Sequence, residues 1–163
     1  MSSVLIAGVG NVFFGDDAFG VEVARRLARL ALPPGTRAID FGIRGLHLAY
    51  ELLDPVDLLV IVDAVPRGRA PGTLYVIDPA LEGITALAQP DAHGMELPSV
   101  FAALRSLGGT LPPTRIVGCE PLDVQEGFGL SPPVAAALDT AVQLVLEVAA
   151  AGGGLQPAME AKG

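Results

Sequence analysis

Five short apolar runs, near residues 3–9, 36–41, 57–63, 73–77 and 114–119, are separated for the most part by segments with helical spacing, near 17–31, 46–53, 96–107 and 132–150. Strands that alternate with helices in this way form a sheet whose two faces must both be covered, because each helix packs one apolar stripe onto a sheet face. The expected fold is α/β, a three-layer sandwich with a mostly parallel sheet and helices on both faces. One exception to the parallel order is expected. Pro71-Gly72 stands directly ahead of the 73–77 run, and too little chain separates that run from 57–63 for a helical crossover, so these two strands are expected to form an antiparallel pair.

The 163 residues suit one domain, assigned to residues 1–150, and 51% hydrophobic content with 17% charged residues excludes a disordered chain. Residues 151–163 begin with Gly152-Gly153-Gly154, lack apolar periodicity and are expected to be a flexible tail. A net charge of −8 with no Lys/Arg run argues against nucleic acid or an anionic membrane as partner. The mean hydropathy of +0.53 raises the question of a membrane span. The most apolar stretch, Val134 to Ala151, answers it, because Asp139, Gln143 and Glu147 recur at four-residue spacing as the polar stripe of a packed helix. The amino terminus has no positive region before its apolar run, and that run is too short for a signal peptide, so a cytoplasmic location is expected. A single cysteine, Cys119, excludes an internal disulfide.

The first run, Val4-Leu5-Ile6-Ala7, leads through Gly8-Val9-Gly10-Asn11-Val12-Phe13-Phe14-Gly15 to the adjacent acids Asp16 and Asp17 and then to a helix. This is not a dinucleotide fingerprint. Phe13 stands where the third glycine is needed, and two acids at a helix start repel a pyrophosphate, so the chemistry favours a cation. The run Leu58-Leu59-Val60-Ile61-Val62 closes on Asp63. Ligands of open α/β sheets collect outside the carboxyl ends of the strands where strand order reverses, so Asp17 and Asp63 are expected to share one crevice. His93, in the loop Pro90-Asp91-Ala92-His93-Gly94, is placed to close it. Carboxylates plus an imidazole form an O/N ligand set suited to zinc, nickel or a similar divalent ion.

Plainer roles compete with each of these. Asp16 alone reads as a helix cap, but a pair exceeds what capping needs, so one acid is expected to cap and Asp17 to face the crevice. Asp63 would serve equally as a turn cap, and His93 as a surface loop residue. His47 reads as a helix-surface residue. Cys119 with His93 as its base would make a thiol hydrolase, yet its place at the end of Ile116-Val117-Gly118 is that of a small buried hydrophobe. Glu120 is either a further acid near the strand ends or a solvated loop residue. The turn Asp40-Phe41-Gly42-Ile43-Arg44-Gly45 lets backbone approach a ligand closely. Asp40, Gly42 and Arg44 are candidate substrate contacts, Arg44 for a carboxylate, with a plain strand-to-helix turn as the alternative.

Together these residues resemble the hydrogenase maturation endopeptidases, which trim the carboxyl-terminal extension from the large subunit of nickel-iron hydrogenases. The likeness spans about residues 4–150 and rests most on Gly8-x-Gly10-Asn11 followed by Asp16-Asp17-x-x-Gly20, with Asp63-Ala64, His93 and Gly118-x-x-Pro121 in family order. The resemblance implies a five-stranded twisted sheet between helices, and Asp17, Asp63 and His93 as the residues that meet a metal. That metal is nickel presented by the large-subunit precursor, or another divalent ion. Asp17 stands where the family often has Glu, and the Asp40–Gly45 turn departs from the family's Asp-Gly-Gly. Two chemistries follow from the resemblance. In one, the metal polarises the scissile carbonyl or activates water while Asp16 shuttles the proton; in the other, the three residues only read the nickel and a carboxylate activates water. The expected activity is a nickel-dependent endopeptidase of aspartic or metal type. The alternative is a metal-sensing maturation chaperone of the same fold that does not cut.

Overall fold

The computed structural model describes residues 2–82, 96–152 and 160–161. Strands β1 (Val4–Val9) and β3 (Leu58–Ala64) are buried along their whole length, as unbroken apolar runs require. β1 pairs in parallel with β2 (Thr36–Gly42) on one side and with β3 on the other, and β3 pairs in parallel with β5 (Thr114–Cys119). The sheet order is β2-β1-β3-β5-β4-β6.

β4 (Leu74–Ile77) is antiparallel as expected, but its partner is β5, not β3. β5 is inserted between the two, and the 65–73 connection crosses past its end. There the Val65 amide donates to the Cys119 carbonyl at 2.9 Å, the Gly72 amide to the Glu120 carbonyl at 2.9 Å, and the Glu120 amide to the Thr73 carbonyl at 2.8 Å. Stepping over one strand needs only about 10 Å, which a connection of this length covers easily, so a short linker does not force adjacency. Five strands make the body of the sheet, and a two-residue strand, β6 (Glu160–Ala161), adds a short antiparallel rung to β4 through two residue pairs. Of the expected flexible tail, Ala151 and Gly152 end a helix, Glu160–Ala161 form this rung, and the rest lies outside the described residues.

The period-two alternation of the strands sorts their side chains into two cores. Val4, Ile6, Leu58, Val60 and Val62 pack with α1 (Phe19–Ala28) and α6 (Leu138–Ala151). Leu5, Ala7, Leu59 and Ile61 pack with α2 (Gly45–Glu51) and α4 (Leu97–Ser106). α1 and α2 therefore leave β1 and β2 on opposite faces, and strand order reverses between β1 and β3. A short helix, α3 (Pro79–Glu82), follows β4 and is not foreseen in the sequence. The expected helix over 132–150 is two, α5 (Pro132–Ala136) and α6, divided at Ala137. Asp139, Gln143 and Glu147 do line the exposed side of α6, and no described helix is long and apolar enough to cross a membrane.

Candidate active site

Residues 15–18 wind as one 3-10 turn ahead of α1, so the helix starts at Phe19, and the acidic pair lies in the tighter turn. Two glycines allow that turn to press against the strand ends. Gly10 holds φ at 144°, and a Cβ built on it would stand 1.8 Å from the Asp17 carbonyl oxygen. A Cβ on Gly20 would stand 2.0 Å from the Val62 carbonyl oxygen and 2.4 Å from that of Val9. Neither position has room for a side chain. Gly10 and Gly20 thus act as spacers that bring Asp17 down onto β1 and β3 at the reversal point.

Asp17 is 5% exposed, and its Oδ2 accepts the Asn11 amide at 2.8 Å. Asp63 is 8% exposed, and its Oδ1 accepts the Ala64 amide at 2.8 Å. Burial pushes the Asp63 carboxyl well above the usual carboxylate range; the Asp17 charge raises it further, and the bond from Ala64 pulls against both. The two carboxyls are therefore electrostatic neighbours, both buried at the carboxyl ends of the strands. Such a pair is relieved either by sharing a proton or by a cation placed between them. The arrangement fits a divalent ion and equally fits acid–base work on water.

His93 lies outside the described residues. Among the described residues no group of three His, Cys, Asp or Glu side chains is placed to hold a metal ion, so Asp17 and Asp63 are the described part of the expected set.

The proton shuttle expected of Asp16 does not fit its surroundings. Its side chain is fully buried, with Oδ2 accepting the amides of Leu122 at 2.8 Å and Asp123 at 3.0 Å and the Ser131 hydroxyl at 2.7 Å. Oδ1 accepts the Ser131 amide at 2.7 Å. Four donors converge on the carboxylate, three of them on Oδ2, which is the arrangement of an anchor that fastens backbone. Asp16 makes no helix-capping bond either. It anchors the loop 122–131 across the site, and backbone bonds from Gly15 to the Gly127 carbonyl, from Asp16 to that of Asp123 and from Gly127 to that of Phe13, all at 2.8 Å, fasten the same loop. Ser131, at the N-cap position of α5, gives its hydroxyl to Asp16 rather than to its own helix.

Glu120 is an anchor of the same kind and not a solvated residue. Only 4% exposed, its Oε1 accepts the amides of Arg67 at 2.8 Å and Arg69 at 3.1 Å and the Tyr75 hydroxyl at 2.6 Å, holding the loop that follows Asp63. The Cys119 thiol is buried, and burial, with Asp16 and Glu120 nearby, pushes it up to about 12. A thiol so placed is not a nucleophile at neutral pH. His47 lies on the exposed side of α2, as expected.

At the β2–α2 turn the candidate contacts serve the turn itself. The Asp40 carboxylate pairs with Arg25 Nε at 3.2 Å, and Arg44 folds back, with Nε on the Phe41 carbonyl at 3.0 Å and Nη2 on the Asp40 carbonyl at 2.5 Å. Gly42 reaches the crevice with its backbone, its carbonyl accepting the Gly10 amide at 3.0 Å. Beside the turn, Ile43, Leu46, Val100 and Ala103 line a cleft of about 410 Å³. Asn11 and Ser131 are the site residues that sequence reasoning did not assign. Asn11 stood in the motif without a role, and nothing local to Ser131 points to Asp16.

Residues 21–148 match the HycI hydrogenase maturation protease family. The hydrogenase 2 maturation protease of Escherichia coli K12 is 34% identical over 149 residues, covering 88% of each chain. The hydrogenase expression/formation protein HupD of Rhodobacter capsulatus is 33% identical over 142 residues, covering 85% of this chain and 67% of its own. Among solved structures, the hydrogenase maturating endopeptidase HybD from E. coli superposes with a TM-score of 0.78 at 30% identity, covering 97% of both chains.

Proposed function

From the premise that this chain belongs to the hydrogenase maturation protease family, we propose that it is an endopeptidase that removes the carboxyl-terminal extension of a nickel-iron hydrogenase large-subunit precursor. The observation that carries the reading is the pair Asp17 and Asp63, two buried carboxyls at the sheet's reversal point, one of them raised by its burial and by the charge of the other. In this reading Asp17, oriented by the Asn11 amide, meets the nickel that the precursor presents, so that only a metal-loaded substrate docks productively. Asp63, raised by burial and by the Asp17 charge in the free protein, is driven to its carboxylate form when the precursor's nickel meets Asp17, and then takes the proton from the water that attacks the scissile carbonyl and returns it to the leaving amine. His93 is assigned to the same metal contact, and a cytoplasmic site of action belongs to the same reading.

The test is intact-mass spectrometry of the precursor, nickel-loaded and nickel-free, mixed with the protein or with an Asp17→Asn/Asp63→Asn double variant. Loss of a carboxyl-terminal peptide only with nickel and only with both acids is expected. An unchanged precursor mass in a stable complex would overturn the protease reading in favour of a metal-sensing chaperone.

A further inference from the structure

Beside the acidic crevice the molecule presents an apolar surface that its own packing does not use. Phe128 is 78% exposed, Leu122 59% and Phe13 56%, and the Phe13 and Phe128 rings meet edge to face with centroids 5.2 Å apart. Phe13 lies between half-buried residues, whereas Leu122 and Phe128 belong to a largely exposed segment, 122–129. The surface is held firmly. Phe14 and Gly127 form a parallel bridge, the Gly127 amide bonds to the Phe13 carbonyl, and the Asp16 carboxylate fastens residues 122, 123 and 131 from beneath. It is also tied to the crevice. The Phe13 amide donates to Asn11 Oδ1 at 2.9 Å while the Asn11 amide donates to Asp17, so one residue sets both the first aromatic ring and the carboxylate.

We propose that Phe13, Leu122 and Phe128 form a docking subsite for an apolar side chain of the precursor segment next to the scissile bond, a specificity surface that rests on the protease reading above. Three arguments select this occupant. The patch is tied to Asp17 through Asn11, so a peptide that reaches Asp17 comes within reach of Phe13. Rigid, pre-ordered aromatic rings are the usual anchors of a peptide contact, since little side-chain freedom is lost when they are covered. The charge around it is one-sided: segments 8–20 and 119–132 carry Asp16, Asp17, Glu120, Asp123 and Glu126 and no lysine or arginine. That excludes an acidic segment and favours an apolar residue in neutral or basic sequence.

The experiment measures binding of the nickel-loaded precursor by sedimentation velocity in an Asp63→Asn background, which separates docking from turnover, and repeats it with Phe128→Ser and Phe128→Leu added. Cleavage kinetics are measured with the same Phe128 variants in the active protein. The expected result is about a tenfold loss of affinity and a matching rise in KM for Phe128→Ser, kcat within twofold, and recovery of most of the affinity by Phe128→Leu. An affinity and KM unchanged in Phe128→Ser would overturn the subsite while leaving the protease reading intact. Should the active protein bind the precursor without cutting it, the protease reading fails, and the affinity ratio alone decides the subsite. A dimer of the free protein that Phe128→Ser abolishes would also overturn the proposal, because a second copy would then cover the patch.

Discussion

Asp16 and Asp63 are both buried acids of the crevice region, and replacing them should have opposite effects on stability. In Asp16→Ala, three amides and one hydroxyl lose their acceptor at once. Each charge-assisted bond of this kind contributes about 1.5–3 kcal/mol, but the four share one carboxylate and are not additive. Leu122 and Asp123 are exposed enough for water to reach their amides, and the buried charge no longer needs stabilising. A net cost of about 3 kcal/mol follows, in the range found when one partner of a buried charge network is removed. For a chain of this length that lowers Tm by about 6–12 °C. Asp16→Asn should cost nearly as much, since whichever way the amide turns, its NH2 group faces donors from Leu122 and Asp123 or from Ser131. The assay is a thermal melt followed by circular dichroism, with hydrogen exchange of residues 122–131 as the local readout. Melts of both variants within 2 °C of the unsubstituted protein, or unchanged protection in that loop, would refute the anchoring role and return Asp16 to the list of proton carriers.

Asp63 gives the converse. Its folded carboxyl holds a proton that the unfolded chain releases near pH 4, so its stabilising contribution is full below that pH and is lost as pH rises through the raised folded value. Asp63→Asn should therefore melt at or above the unsubstituted protein at pH 8, with the gap closing at pH 4, and a pH-independent gap would contradict the assigned shift. Cys119, with its thiol pushed up to about 12 and sealed from solvent, should resist iodoacetamide at pH 8 until the protein unfolds. Cys119→Ala should cost about 1–2 kcal/mol of stability and leave cleavage intact, which a loss of activity without a loss of stability would overturn. Gly20→Ala drives a methyl into the Val9 and Val62 carbonyls and should cost about 3 kcal/mol or more, read as a denaturant midpoint. A near-neutral result would mean that α1 can lift off the strand ends.

The strands were legible because a buried parallel strand is an unbroken apolar run, and Leu58–Ala64 needs no context to be recognised. The helix break at Ala137 was not, because neither Gly nor Pro interrupts Val134 to Leu138, and Ala137 itself is buried in the core. The pairing of β4 failed for a related reason. Linker length limits which strands are reachable but does not say which later strand will step between them. The nearness of Asp17 to Asp63 was readable from the strand ends that carry them. Asp16 was misread because every one of its partners lies more than a hundred residues away, beyond the reach of any local pattern. Glu120 was missed likewise, since two of its partners are backbone amides, which carry no residue identity in a sequence.

The insertion of β5 between β3 and β4 also bears on how the chain reaches this structure. β2, β1 and β3 are complete by Ala64 and pair among themselves, so the half of the sheet that carries Asp17 and Asp63 has its ladder partners early. β4 follows directly but has no partner until Thr114–Cys119 exists, and until then the open edge of β3 and the whole of β4 present unpaired backbone groups. Such an edge is slow to close, because a contact of long sequence separation must form first, and it is open to the wrong strand meanwhile. The late arrival of β5 also brings Glu120 and the 122–131 loop. The carboxyls are thus positioned first and walled in last, and a chain truncated ahead of residue 114 would carry the acidic pair on an aggregation-prone half-sheet with no wall around it.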